Sequence, residues 1–154
     1  MAPGDRDAIA EILAAVGNFN PEEIECALEL VDMYLRDIHQ KDYRLVVAES
    51  PAGRVCAYAC YGPTPMTRGT YDLYWLATSP AAQGHGIGRS LMDYVEARVR
   101  EENGRLLVLE TSSKDSYIDT VRFYRRLHYE EAARIRDFYD RGDDKLVFVR
   151  RLCS

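Results

Sequence analysis

Between the hydrophobic stretch at residues 73–78 and an amphipathic run that starts at Arg89, the chain reads Gln83-Gly84-His85-Gly86-Ile87-Gly88. That is the pattern of a strand turning through glycines into a helix. A helix start leaves about four backbone N–H groups without intrahelical partners and carries roughly half a positive charge, so phosphate oxygens dock there directly. Glycines at 84, 86 and 88 are expected to let the main chain approach, because no Cβ stands between amide and phosphate. The chemistry implied is the binding of a phosphorylated ligand. A P-loop would need a Lys-Ser or Lys-Thr pair after its last glycine, whereas Gly88 is followed by Arg89-Ser90. A Rossmann fingerprint would need G-x-G-x-x-G, and the run here is G-x-G-x-G, although Glu110 does end a second strand at about the right distance. The dinucleotide reading is weakened and stays open on spacing alone.

The elements that must hold this loop follow from periodicity. Asp5 to Val16 reads as a helix capped by Asp5, with Ile9, Ile12, Leu13 and Val16 on one stripe and Gly17 as its stop. Asn20-Pro21-Glu22-Glu23 then supplies an N-cap, Pro at the first helical position and Glu at the third, ahead of a buried face of Ile24, Leu28, Val31, Leu35 and Ile38. Residues 43–49 and 54–61 read as an antiparallel hairpin. Alternation over Thr70 to Thr78 sends Tyr71, Leu73, Trp75 and Ala77 to one face of a strand and Asp72, Tyr74, Leu76 and Thr78 to the other. The glycine loop opens a helix with Ile87, Leu91, Val95 and Val99 on one stripe, ending near Asn103-Gly104. Leu106-Leu107-Val108-Leu109 is an unbroken apolar run, as expected of an interior parallel strand, so the unit is a βαβ crossover, right-handed by the general rule. Ser116 with Asp119 is expected to cap the helix carrying Tyr124, and residues 132–139 and 145–152 close the chain as a hairpin around an acidic turn.

At 154 residues, 1–154 is expected to be one domain, and with 47% apolar residues it is not a disordered chain. A formal charge of −5 argues against nucleic acid or an anionic membrane as partner and favours a cationic guest. The N-terminus shows neither a basic nor an apolar leader and no stretch approaches the ~20 apolar residues of a membrane span, so a cytoplasmic protein is expected. Cys26, Cys56, Cys60 and Cys153 form no C-x-x-C pair and have no nearby His, so no metal is expected. Cys56 and Cys60 share one side of a strand and read as small buried hydrophobes.

Gln-x-x-Gly-x-Gly after Tyr74-Trp75-Leu76-Ala77-Thr78 resembles the pyrophosphate loop of the GNAT superfamily of acyl-CoA-dependent N-acetyltransferases. Tyr117-Ile118-Asp119-Thr120-Val121-Arg122-Phe123-Tyr124-Arg125-Arg126-Leu127-His128-Tyr129 is similar to that family's later helix, Asn-x-x-Ala-x-x-Phe-Tyr-x-x-x-Gly-Phe. Phe123, Tyr124 and Tyr129 fall on their places, while Tyr117, Thr120 and His128 stand where Asn, Ala and Gly are usual. The resemblance implies an α+β fold: a mixed, mostly antiparallel sheet with a central βαβ unit and flanking helices. It also implies a strand before the first helix, for which residues 1–4 are too short. Either that edge strand is absent, in which case the exposed edge favours pairing with another copy, a homodimer, or the natural chain starts further upstream.

By the same resemblance acetyl-CoA is the co-substrate, held by Leu76, Ala77 and Thr78, by Gln83, Gly84, His85, Gly86, Ile87, Gly88, Arg89 and Ser90, and by Tyr117, Thr120 and Phe123. The implied reaction is acetyl transfer to a primary amine of a small molecule or a peptide or protein, by direct attack in a ternary complex. The alternatives are a non-catalytic acyl-CoA-binding regulatory module and an unrelated nucleotide-binding domain. An alkylamine of pKa near 10.4 must lose a proton before it attacks, and Asp72 and Glu110 stand where the family keeps carboxylates that accept it. Tyr124 is the acid expected to protonate the departing thiolate. A backbone N–H near Ala77 or Thr78, where the family's strand bulges from its neighbour, would polarise the thioester carbonyl. The acceptor pocket is expected between residues 17–20, 63–69 and 138–145, with Asp137, Asp140, Asp143 and Asp144 as a draw for a cationic amine.

Overall fold

The Asn20 side chain accepts a hydrogen bond from the Glu23 amide at 2.8 Å, and the Glu23 carboxylate accepts one from the Asn20 amide at 2.7 Å. This reciprocal box, with Pro21 at the first position, starts the second helix where the sequence predicts it. Asn20→Ala is expected to cost about 1 kcal/mol, read as a fall of roughly 2–4 °C in melting temperature. The first helix has no such bond. Gly4 stands at its cap, and Asp5 lies inside the first turn, where its carboxylate accepts from the Ala2 amide at 2.6 Å.

The structure, a computed structural model, describes residues 1–152. In chain order these form α1 (Asp5–Val16), α2 (Pro21–Arg36), β1 (Arg44–Glu49), β2 (Val55–Pro63), β3 (Thr70–Thr78), α3 (Ile87–Glu101), β4 (Leu106–Ser112), α4 (Ile118–Arg126), β5 (Glu130–Asp140) and β6 (Asp143–Arg151). The sheet runs β1-β2-β3-β4-β6-β5, and β3 and β4 are its parallel neighbours, joined through α3. Residues 1–4 form no strand, so β1 is an edge. This is the mixed, mostly antiparallel fold with a central βαβ unit that the sequence predicts.

The sheet separates two cores. On one face Leu91, Met92, Val95 and Val99 of α3, Val121 and Tyr124 of α4 and Leu127 just after it pack with Leu107, Leu109 and Phe148. On the other, Ile9, Ile12 and Leu13 of α1 and Ala27 and Val31 of α2 pack on Leu45, Tyr58, Cys60 and Ala77. β2 lies between them and its interior is buried on both sides, which explains its unbroken run of small and aromatic residues.

Three further expectations are corrected. Ile38 is 61% exposed, because α2 stops at Arg36 and the chain has left the helical stripe before reaching it. Ser116 and Asp119 do not cap α4: a 3₁₀ turn, Asp115–Tyr117, leads into it, and Tyr117 stands at the cap without a side-chain bond. The faces of β3 also change partway along. Cys60 pairs with Trp75 but Tyr61 pairs with Leu73, so Tyr74 is an extra residue on β3. Tyr71 and Leu73 therefore join the α3 core, whereas Trp75 and Ala77 join the α1 and α2 core. Strict alternation cannot anticipate this, because a bulge shifts the period by one residue. His128, where the family usually has Gly, closes α4 at φ 62, a backbone state that His tolerates.

Candidate active site

β3 and β4 pair from Thr70↔Leu106 to Leu73↔Leu109 and then part, although β3 runs on to Thr78 and β4 stays with β6 as far as Ser112↔Lys145. The parting begins at the Tyr74 bulge, which adds local twist and turns the rest of β3 away from β4. The bulge thus lies upstream of the Ala77–Thr78 position expected from the sequence. Beyond it, the Ser79 amide donates to the Cys56 carbonyl at 2.8 Å. Antiparallel alternation then directs the Ala77 amide to β2 and those of Leu76 and Thr78 into the gap. Of the two amides named from sequence, only that of Thr78 faces the opening. The Thr78 carbonyl, on the same side, accepts the Gln83 side-chain amide at 3.1 Å.

This bond ties the glycine loop to the end of β3. Gly84 at φ 78 and Gly86 at φ 77 hold the left-handed conformation that lets the chain reverse into α3. Gly86 is the N-cap and supplies no side-chain bond, so the amides of Ile87, Gly88 and Arg89 open the helix. The Ser90 amide is the first that the helix itself uses, donating to the Gly86 carbonyl at 3.0 Å. A ring nitrogen of His85 sits 2.9 Å from the Gln83 carbonyl, folding that side chain back on the loop. Gly88 has a different reason from its neighbours: a Cβ there would lie 3.4 Å from the Phe123 ring and 3.5 Å from the Thr78 hydroxyl. The end of β3, the start of α3 and the α4 aromatic thus meet at one point. The result is a set of unengaged helix-start amides beside a cleft, which suits a diphosphate. Arg89 stands at its rim, 4.0 Å from Asp93 and largely exposed.

Tyr124 lies on the α3 and α4 face of the sheet, its ring centroid 5.2 Å from that of Phe123, 5.7 Å from Tyr129 and 6.4 Å from Phe148. Burial pushes its phenol well above the ordinary tyrosine value, so it stays protonated. Burial alone causes that shift, with no side-chain hydrogen bond contributing to it. Asp72 and Glu110 occupy the opposite face: Asp72 pairs with Val108, and Glu110 lies two residues beyond, at the level where the strands part. Both carboxylates are engaged. The Thr64 hydroxyl donates to Asp72 at 2.7 Å, and the Lys145 ammonium meets Glu110 at 2.7 Å. Lys145 also lies over the Phe138 ring, 4.3 Å from its centroid.

Phe138 and Lys145 bound the 138–145 segment that the sequence gives to the acceptor pocket, but the pairing of Lys145 with Glu110 follows only from the β4–β6 register, which sets Lys145 opposite Ser112. Tyr117 reaches the loop between α1 and α2, its hydroxyl donating to the Asn18 carbonyl at 2.9 Å, and burial pushes its phenol to about 12. Thr120 is half-buried on the first turn of α4. On the α1 and α2 face of the sheet, Phe19 and Trp75 form an edge-to-face pair at 5.5 Å. The four aspartates of the last hairpin are tied into its own structure. Asp137 accepts from the Gly142 amide, Asp140 from the Arg141 amide, Asp144 from the Asp137 amide and Arg134, and buried Asp143 from Ser112 with Lys114 beside it.

Among the described residues no three His, Cys, Asp or Glu side chains gather as a metal site, and no helix is long and apolar enough to cross a membrane. Cys56 and Cys60 are buried in β2, and burial pushes the Cys60 thiol to about 12, which keeps it from acting as a thiolate nucleophile. Cys153 lies outside the described residues.

The sequence and the fold have counterparts in known proteins. A family model described as an acetyltransferase (GNAT) domain matches residues 41–131. A GNAT-family protein from Desulfovibrio desulfuricans is similar at 40% identity over 99% of this chain and 95% of its own, with a TM-score of 0.93. The ribosomal-protein-S18-alanine N-acetyltransferase of Escherichia coli, at 17% identity, shares the fold over 100% of this chain and 92% of its own, with a TM-score of 0.79. The protein yncA of Salmonella typhimurium, solved with its cofactor acetyl-CoA, does so at 21% identity over 100% and 92%, with a TM-score of 0.76. Curated protein sequences show no match. A domain match over more than half of the chain, with 40% identity along nearly all of it to a GNAT protein, agrees with the parted strands and the glycine-started helix: the chain belongs to the GNAT acetyltransferase family.

Proposed function

We propose that this protein is an N-acetyltransferase, moving the acetyl group of acetyl-CoA to a primary amine of a small molecule or a peptide by direct attack within a ternary complex. The observation that carries the reading is the parting of β3 and β4 beyond Leu73 and Leu109, beside the helix-start amides of Ile87, Gly88 and Arg89. The diphosphate of the co-substrate fits those amides, and its thioester arm fits the gap, where the Leu76 and Thr78 amides supply donors to the carbonyl oxygen. The amine nitrogen forms its bond to the carbonyl carbon, and the C–S bond breaks. The sulfur takes a proton from the Tyr124 hydroxyl, and the nitrogen gives one up to Glu110 or Asp72, directly or through water. Free Cys26, Cys56 and Cys60 suit a reducing, cytoplasmic setting.

A second reading, a non-catalytic acyl-CoA-binding module, draws on the engagement of both carboxylates by Thr64 and Lys145. An assay of free thiol released from acetyl-CoA, run against polyamines, amino acids, aminoglycosides and peptide N-termini, separates the two. Turnover with at least one amine is expected. Glu110→Gln is then expected to lower kcat by about 10- to 100-fold, with acetyl-CoA binding unchanged by calorimetry. Binding without turnover on any amine would favour the module.

A further inference from the structure

We propose that Lys145 is a site of self-acetylation, its ε-amine taking the acetyl group of acetyl-CoA held by the same chain. This rests on acetyl-CoA being the co-substrate, and it adds an acceptor that belongs to the protein itself. The lysines of the chain are Lys41, Lys114 and Lys145. Lys41 and Lys114 are exposed, and Lys114 lies 3.4 Å from Asp143, which the acetyl transfer does not use. Among the described residues Lys145 is the lysine that meets a candidate base, its ammonium 2.7 Å from the Glu110 carboxylate.

The fold sets that contact. Leu146 and Phe148 of β6 enter the α3 and α4 core, so Lys145 and Val147 face the other side of the sheet, where Val147 pairs with Glu110. Glu110 follows Leu109, the last residue of β4 that pairs with β3, and so borders the gap between the strands. Tyr124 lies on the opposite face. Nucleophile and acid thus stand on opposite sides of the sheet. Lys145 is also the more deeply set member of the ion pair, its side chain 15% exposed against 51% for Glu110, and the Phe138 ring, 4.3 Å from its nitrogen, favours that position.

Arginine makes most of the ion pairs among the described residues, as at Arg6–Asp32, Arg44–Glu102 and Arg150–Glu96. A guanidinium keeps its proton in a protein and does not attack a carbonyl, whereas a lysine amine does once a base frees it. The contact with Glu110 falls within the roughly 2.6–3.2 Å at which a base takes a proton. The nitrogen gives its first proton to Glu110, and its lone pair forms the bond to the carbonyl carbon. The C–S bond breaks, the Tyr124 hydroxyl gives a proton to the sulfur, and the nitrogen loses its second proton to water. Tyr124 regains a proton from water and Glu110 releases one, so the step yields acetylated Lys145, free thiol and one proton. The amide carries no charge, which ends the ion pair with Glu110.

Mass spectrometry of peptides from the full chain, before and after incubation with isotope-labelled acetyl-CoA and no other amine, tests this. One acetyl group is expected at Lys145, at a rate per chain that does not change on dilution, with less than about a tenth as much at Lys41 or Lys114. Uncatalysed acylation favours the two exposed lysines instead. Tyr124→Phe is expected to slow the modification of Lys145 about 100-fold, and Glu110→Gln at least about 10-fold, with Lys41 and Lys114 unaffected. An acetyl group already on Lys145 of the purified wild-type chain and missing from both variants is the same result. Calorimetry with acetyl-CoA on the same sample separates two failures. Binding with Lys145 unmodified, or modified no faster than Lys41 and Lys114, overturns self-acetylation and leaves the acetyltransferase reading standing, whereas absence of binding removes both. A rate that rises with chain concentration, or one that neither variant slows, also overturns the proposal.

Discussion

Tyr124→Phe is expected to lower turnover about 100-fold while holding acetyl-CoA affinity within about twofold. The ring sits among Phe123, Tyr129 and Phe148, and phenylalanine keeps those contacts. What is lost is the hydroxyl. Burial alone shifts that hydroxyl, with no side-chain hydrogen bond contributing, so stability is expected to stay within about 1 kcal/mol when it is removed. A departing thiolate has a basicity near that of free cysteine, about 8.5, so a phenol held protonated by burial can hydrogen-bond to it or protonate it as the C–S bond breaks. Thiol-release kinetics, calorimetric binding and a melting curve separate the effects. Unchanged kcat on a confirmed acceptor would remove Tyr124 from the mechanism.

Gly86→Val is expected to raise the dissociation constant for acetyl-CoA by about 10- to 100-fold. Gly86 caps α3 at φ 77, where a β-branched residue is strained by roughly 1–2 kcal/mol and would pull the helix start out of shape. A Cβ at this position meets no protein atom within 4 Å, so the new methyls project into open space over the loop, where the ligand's oxygens are expected. Gly88→Ala serves as the comparison. That glycine has no positive φ, and its Cβ would stand in ordinary contact with Phe123, so the loss of affinity is expected to be several-fold smaller. Equal losses at the two positions would mean that backbone conformation at Gly86 is not what binds the diphosphate.

The order and type of the helices and strands were legible in the sequence because each has a local cause. Asn20 and Glu23 bond within one helical turn, Gly17 and Gly86 permit left-handed backbone where α1 ends and α3 begins, and the apolar run of β4 marks an interior strand, with Leu107 and Leu109 buried and Leu106 and Val108 half-buried. The glycine loop was legible as the start of a helix for the same reason, since its amides come from consecutive residues. Other features were not. One extra residue at Tyr74, set by how β3 lies on β2, moves Trp75 and Ala77 to the α1 and α2 core and opens the gap against β4. Glu110 meets Lys145 only through the β4–β6 register, and Tyr117 meets Asn18 across nearly a hundred residues of chain.

The acidic hairpin illustrates the same division. Four aspartates close together in sequence read as a draw for cations, yet each is held by an amide, a hydroxyl or a cation of the folded hairpin and its neighbours. By itself the sequence determined the elements, the family resemblance and the loop, because capping, backbone strain and periodicity act over a few neighbouring residues. Tertiary structure alone decided where β3 and β4 part and which carboxylates are already paired. Those depend on strand register and on contacts between distant segments, which no local pattern encodes.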